Sequence, residues 1–152
     1  MNSLVYHFTM TNTAESRNFS VELISIAEDV RITTEEMFED EETTRSTLLF
    51  FHVKNTSDES VSWWYNENNF IGSDGFQYKS GENIYETVGN GHEVLPPHWY
   101  PNPTIQPGRK ARCVTEIPEF PDDVSVEEAI YNYNEDYYEI EIDTSQLEEA
   151  PI

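Results

Sequence analysis

The side chains that could do chemistry are scattered, and their spacing matches few known sites. His7, His52, His92 and His98 lie far apart, and no pair has helix-face or zinc-finger spacing. His52, set among large apolar residues, reads as a structural histidine. A denser set of oxygens occurs at Glu35, Glu36, Glu39, Asp40, Glu41 and Glu42, which could offer carboxylates to Ca2+ or Mg2+. That run lacks EF-hand spacing and has no glycine to turn the chain around an ion. A solvated acidic loop is the stronger reading, and neither metal nor cofactor is expected.

Nucleophilic chemistry has less to stand on. Cys113 is the only cysteine, so no intramolecular disulfide can form, and its place in Ala111-Arg112-Cys113-Val114-Thr115 suits a core filler. There is no Gly-x-Ser-x-Gly elbow and no phosphate-binding glycine loop. With 30 acidic residues, some carboxylate pairs must fall close by chance, so pairs suited to glycoside hydrolysis carry no weight. The chain is expected not to be an enzyme. Binding is better represented. His98, Trp99 and Tyr100, bracketed by Pro96-Pro97 and Pro101, form a stiff aromatic presentation of the kind that anchors interfaces. The competing reading is that Trp99 folds back and caps the sandwich. Trp63 and Trp64 must point to opposite faces of one strand, which makes Trp64 a second candidate contact. Asn18-Phe19-Ser20 and Asn55-Thr56-Ser57 match N-glycosylation acceptors, triplets that are common by chance.

These residues sit on an unusually acidic chain. Its 152 residues hold 8 Lys+Arg against 30 Asp+Glu, a formal net charge of −22. Such self-repulsion opposes compaction in dilute salt, but screening at molar salt, with a Debye length of about 3 Å, removes most of it. The acids are spread along the whole chain and lysine is scarce, so a halophilic source is the first reading. The alternative is an inhibitor that mimics nucleic acid and presents the acids of 35–42 and 135–149 to a basic partner. Direct nucleic-acid binding is not expected without a basic footprint. No stretch approaches a membrane span, so no membrane insertion is expected, and no signal peptide is visible at the start.

The elements that must position these groups repeat every two residues. Phe19, Val21 and Leu23 form one apolar face that Ile24 blurs, and Leu48 to Val53 is apolar on both faces, as a central strand requires. Val61, Trp63 and Tyr65 alternate again, and Asp74-Gly75 marks a tight turn before Phe76 and Tyr78, which are expected to share a face. Strands are expected from Lys110 to Ile117, over Ala129 to Tyr133, and from Tyr137 to Asp143. Val124 to Ala129 could hold one helical turn. Thr33 to Arg45 reads as a solvated hairpin tip or loop, and Gly81 to Thr104 as a long loop of the kind that often carries function. The expectation is one all-β domain over 1–143, an antiparallel β-sandwich of seven or eight strands, followed by a polar tail over 144–152.

Phe51-His52-Val53-Lys54-Asn55-Thr56-Ser57-Asp58, Asp74-Gly75-Phe76-Gln77-Tyr78, Ile105-Gln106-Pro107-Gly108-Arg109 and Tyr138-Glu139-Ile140-Glu141-Ile142-Asp143 occur in this order. Together they resemble an immunoglobulin-like domain family of unknown function found on prokaryotic and archaeal surface lipoproteins, over about Phe19 to Asp143. The resemblance implies an immunoglobulin-like sandwich, an outside-facing location and no catalytic residues. The lipoprotein signal is missing here, and the loop around His98-Trp99-Tyr100 lies outside the pattern. The leading expectation is therefore a structural or interaction protein with protein partners, forming a homo-oligomer or larger assembly. A virion component such as a capsid decoration, turret or tail-associated subunit fits this expectation. A cell-surface adhesion domain and the cytoplasmic nucleic-acid mimic are the alternatives.

Overall fold

The computed structural model describes residues 11–34, 42–81 and 95–151. Ten strands run in the order β1 (Thr13–Glu15), β2 (Phe19–Thr34), β3 (Glu42–Asn55), β4 (Val61–Ser62), β5 (Asn68–Gly72), β6 (Gln77–Lys79), β7 (Thr104–Ile105), β8 (Lys110–Pro118), β9 (Val126–Tyr133) and β10 (Asp136–Glu141). They form an antiparallel sheet β1-β2-β3-β8, a second antiparallel sheet β10-β9-β5-β6, and a small β4-β7 pair. The fold is thus an all-β sandwich. The ten strands among the described residues exceed the seven or eight expected because β1, β4 and β7 are only two or three residues long. Such short pieces carry no visible alternation.

The two sheets meet through rings. Phe19, Val21 and Leu23 of β2 and Leu49, Phe51 and Val53 of β3 are buried, as are Phe70, Ala129, Tyr131, Tyr138 and Ile140 of the second sheet. Phe19 meets Tyr131 edge-on with centroids 6.2 Å apart, a contact from one sheet to the other. Trp63, entering between them, stacks on Tyr131 at 5.8 Å, and Tyr131 stacks on Tyr138 at 4.9 Å. The ladder is closed by hydrogen bonds: Trp63 Nε1 donates to the Tyr138 hydroxyl at 2.8 Å, and the Trp64 amide to the Tyr131 hydroxyl at 3.1 Å.

Burial raises the pKa of both Tyr131 and Tyr138 above the ordinary phenol value. A raised folded-state pKa means their stabilising contribution is full below pH ~10 and is lost as pH climbs further, because the unfolded chain then releases protons more readily. Stability is therefore expected to fall above pH ~10 by up to about 1.4 kcal/mol per pH unit for each tyrosine. Tyrosinate absorbance should rise together with loss of the sheet signal in circular dichroism. Ionisation of all nine tyrosines while the sheet stays folded would contradict the ladder.

Two irregularities decide which way side chains point. The β2–β3 register slips between Leu23 and Ser25, so Leu23 stays opposite Phe51 in the core while Ser25 lies opposite Phe50 on the outer face. A second slip follows between Ala27 and Val30, where Asp29 takes a left-handed φ of 56°. In β9, the slip beside Ile71 and Gly72 puts Val126 opposite Gly72 and Glu128 opposite Ile71, leaving Glu127 as the extra residue. That extra residue corrects the helical turn expected over Val124 to Ala129. Val126 and Ala129 are both buried three apart because a bulge separates them, not because the chain is helical.

The acidic insert is also more regular than a loop. β2 continues to Thr34 and β3 begins at Glu42, with Val30 to Thr34 paired to Ser46 back to Glu42. β8 reaches only as far as Pro118 opposite Ser46, so these pairs extend past it as a two-stranded arm. At the other end, Asn12, in a left-handed conformation (φ 63°), stitches the sheets together. Its amide donates to Glu141 O at 2.7 Å, and its carbonyl accepts from the Leu23 amide at 2.7 Å. Its side chain brackets Asp143, donating to the carbonyl at 3.0 Å and accepting from the amide at 2.9 Å. The tail then makes a short 3-10 turn over Thr144–Gln146 and returns to the body, where the Glu148 amide donates to Ile24 O at 2.9 Å. Leu147 and Ala150 pack on the core.

Candidate interaction surface

The register of the first sheet lays out its outer face in rows. One row runs Glu15, Ser20, Lys54, Lys110, and the next runs Thr13, Glu22, His52, Arg112. Lys54, Lys110 and Arg112 are exposed, as is Arg109 in the turn that leads into β8. Four of the chain's eight lysines and arginines are thus gathered at one end of one sheet. Lys54 and Lys110 stand directly opposite each other, an arrangement that costs stability between like charges. Among the described residues neither is in an ion pair; the pairs found there are Arg17–Glu135 and Arg45–Asp29. A groove of about 320 Å³ is lined by Lys54 and Lys110 on one side and by Glu15 and Glu22 on the β1–β2 side.

The third row, Ser25, Phe50 and Val114, is buried although it lies on the outer face. Trp99 accounts for part of that. Its ring meets Phe50 edge-on at 5.1 Å and stacks on His52 at 5.9 Å and 17°. Tyr100 extends β8 sideways: its amide donates to Arg112 O at 2.9 Å, and its carbonyl accepts from the Val114 amide at 3.1 Å. Trp99 therefore folds back, but onto a sheet face and not over the end of the sandwich. What it leaves outside is Tyr100, half exposed, and His98, exposed and in a left-handed conformation (φ 72°). The Tyr100 backbone borders the cationic rows at Arg112, but its bridge to Cys113 places its ring on the same side of the sheet as Cys113, away from them.

Trp64 does not join them. The backbone of its neighbours runs beside the loop, with the Tyr65 amide donating to Pro101 O at 3.1 Å, but the Trp64 ring packs on Tyr133 at 6.0 Å. Glu35, Glu36, Glu39, Asp40 and Glu41 lie outside the described residues, and Glu42 opens β3 opposite Thr34. Among the described residues no three His, Cys, Asp or Glu side chains come close enough to hold a metal ion. Cys113 is buried, and burial pushes its pKa well above the usual thiol value, which leaves it protonated at neutral pH. The two glycosylation triplets have structural work. The Asn55 amide nitrogen donates to Glu59 O at 2.6 Å and Ile105 O at 2.8 Å, and that of Asn18 to Asp136 Oδ2 at 2.7 Å.

Three features were missed by reading the sequence. Lys54, Lys110 and Arg112 come from two distant strands, with Arg109 in the turn before the second, and only the alternation of the three with Val53, Ala111 and Cys113 hinted at a shared face. Glu116 is a buried carboxylate in the row above Val114, accepting from Ser46 Oγ at 2.8 Å and lying directly against Gly81. A Cβ at Gly81 would sit 2.6 Å from a Glu116 oxygen, so Gly81→Ala is expected to cost about 1–3 kcal/mol in a urea titration. A wild-type midpoint for that variant would show that Glu116 has room to move. Finally, the outer face of the second sheet carries Glu128 directly opposite Glu141, with Glu139 in the next row, all exposed.

No protein-family profile matches this chain, and no curated protein is similar to it. Among solved structures, it is similar to the yjhA protein from Bacillus subtilis, with a TM-score of 0.54, 11% sequence identity, and coverage of 86% of this chain and 96% of that one. At that identity the likeness shows the fold alone: an all-β sandwich. No helix among the described residues is long and apolar enough to cross a membrane.

Proposed function

We propose that this chain is a non-enzymatic structural and interaction module, a subunit on the outside of a particle such as a virion, adapted to concentrated salt. The observation that carries the reading is the gathering of Lys54, Arg109, Lys110 and Arg112 at one end of one sheet on a chain whose net charge is −22. Cations so scarce and so concentrated fit a contact face, because complementary charge orients encounter and excludes wrong partners.

Salt adaptation is supported by like charges left opposite each other on both outer faces, Lys54 with Lys110 and Glu128 with Glu141. These repel through solvent and relax when the Debye length drops from about 10 Å at 0.1 M to about 3 Å at 1 M. The melting midpoint is expected to rise by roughly 5–10 °C between ~0.1 M and ~2 M NaCl, or about 2–3 kcal/mol at this chain length. A midpoint that does not move over that range sinks the salt reading. The particle reading is tested by mass spectrometry of purified particles and cell fractions from the source. The subunit should be enriched in particles, and the K54E/K110E variant should be depleted from them. Recovery of both only in the soluble cell fraction would overturn it.

A further inference from the structure

Each outer face of this sandwich carries a patch of one sign, and each patch is internally unfavourable. On the first sheet, Lys54 and Lys110 oppose each other with Arg112 in the adjoining row, while Glu15 and Glu22 stand at the far, β1–β2 side of the same rows. On the second sheet, Glu128 and Glu141 oppose each other with Glu139 in the adjoining row, at whose far end stands Lys79. The acidic patch adjoins an exposed tyrosine: Tyr137 is 51% exposed, and its hydroxyl donates to Glu139. In both cases the pair is a cross-strand pair of an antiparallel ladder, so its two Cβ atoms have the same separation of about 5 Å. Among the described residues none of the six charged side chains Lys54, Lys110, Arg112, Glu128, Glu139 and Glu141 is in an ion pair, and all six and Tyr137 are exposed.

Resting on the contact-face reading above, we infer that the partner is a second copy of this chain, bound head to tail, with the Lys54–Lys110–Arg112 face of one copy on the Glu128–Glu139–Glu141 face of the next. Each face removes the repulsion in the other, and the matched spacing lets two lysines meet two glutamates without strand movement. The contact joins different surfaces of the two copies, so it leaves a free basic face at one end and a free acidic face at the other. Association then continues into stacks or a ring and does not stop at a symmetric dimer. Tyr137 supplies apolar area on the acidic face, which charge alone would not.

The test uses two face variants of the full chain in ~0.5 M NaCl, where screening has shortened long-range repulsion but not a direct contact. Wild type is expected to sediment as a concentration-dependent series of oligomers. K54E/K110E lacks the basic face and should be monomeric; so should E128K/E141K, which lacks the acidic one. The second variant is the informative single case, because it lowers the net charge from −22 to −18 and should still lose association. If general repulsion governed assembly, it would associate more. Mixed in equal amounts, the two variants are complementary at both junctions, retained face with retained face and reversed face with reversed face, so an alternating series of oligomers should return. Circular dichroism of each variant confirms that it is folded; where E128K/E141K does not fold, E128Q/E141Q replaces it. Monomeric wild type at every concentration, or a mixture that stays monomeric, overturns the inference. If K54E/K110E is nevertheless depleted from particles, the contact face stands and its partner is a different protein.

Discussion

Trp63→Ala is expected to lower the free energy of unfolding by about 3–5 kcal/mol, a large share of the roughly 5–15 kcal/mol that a domain of this size has. Trp63 is fully buried, stacked on Tyr131, tilted against Phe51 at 5.8 Å and hydrogen-bonded to the Tyr138 hydroxyl. Truncation leaves a cavity between the two sheets, because the strands on either side are held by their ladders and cannot collapse into it. It also removes the donor that Tyr138 faces inside the core. The two losses can be separated. Trp63→Phe keeps most of the ring contact and loses the Nε1 hydrogen, and Tyr138→Phe leaves that hydrogen without its acceptor; each should cost about 1–3 kcal/mol beyond packing. The double variant W63F/Y138F should cost clearly less than the sum, since it leaves neither polar group stranded. Urea unfolding followed by circular dichroism in concentrated salt measures all four. Strict additivity would mean that the Trp63–Tyr138 hydrogen bond contributes nothing.

The sandwich was legible because its central strands obey the two-residue period where it matters. Phe19, Val21 and Leu23, and Tyr138, Ile140 and Ile142, all turn inward as their alternation requires. What the period could not show was a change of face. After the slip at Ile24, Ser25 and Ala27 continue the odd-numbered run of buried residues, but on the opposite side of the sheet. The run looks unbroken only because that part of the outer face is covered as well. The same blindness produced the helical reading of Val124 to Ala129. A single extra residue, Glu127, converts a strand's spacing of two into three. Phe76 failed for a different reason: it sits in the turn and not in the strand, and is 69% exposed although Tyr78 packs on Phe120.

The surface was less legible than the core. Proline-flanked aromatics drew attention to His98, Trp99 and Tyr100, but composition could not say which ring would be spent on the protein itself. Phe50 answers this: an outward-facing phenylalanine in a central strand needs a cover, and Trp99 is within reach of it. The cationic rows were hidden because charge was counted along the whole chain, where 8 against 30 conceals local excess. Lys54 and Lys110 are 56 positions apart in sequence and become neighbours only through the β3–β8 register. The acidic pair, Glu128 and Glu141, depends in the same way on β9 and β10.

Asp136→Ala should be the most damaging change of a charged residue, at about 2–4 kcal/mol, for a reason that counting ion pairs would miss. Asp136 opens β10 in the second sheet and is buried, and its carboxylate accepts three hydrogen bonds from the turn between β1 and β2 in the first. These come from Ser16 Oγ at 2.9 Å, the Asn18 amide at 2.8 Å and Asn18 Nδ2 at 2.7 Å. Removing the acceptor strands donors on both the backbone and two side chains, and frees the turn that leads into Phe19. Its neighbour Glu135 is the natural control. Glu135 pairs with Arg17 beside the same turn, but both side chains are mostly exposed, so Glu135→Gln should cost no more than about 1 kcal/mol. Asp136→Asn should fall between, since the amide keeps one acceptor and points a donor at the other partners. Raising the salt concentration should erase the Glu135 effect and leave most of the Asp136 effect, because buried hydrogen bonds are screened far less than surface charges. Equal losses at positions 135 and 136, fading together with salt, would place the tether between the sheets in surface electrostatics and not in the buried carboxylate.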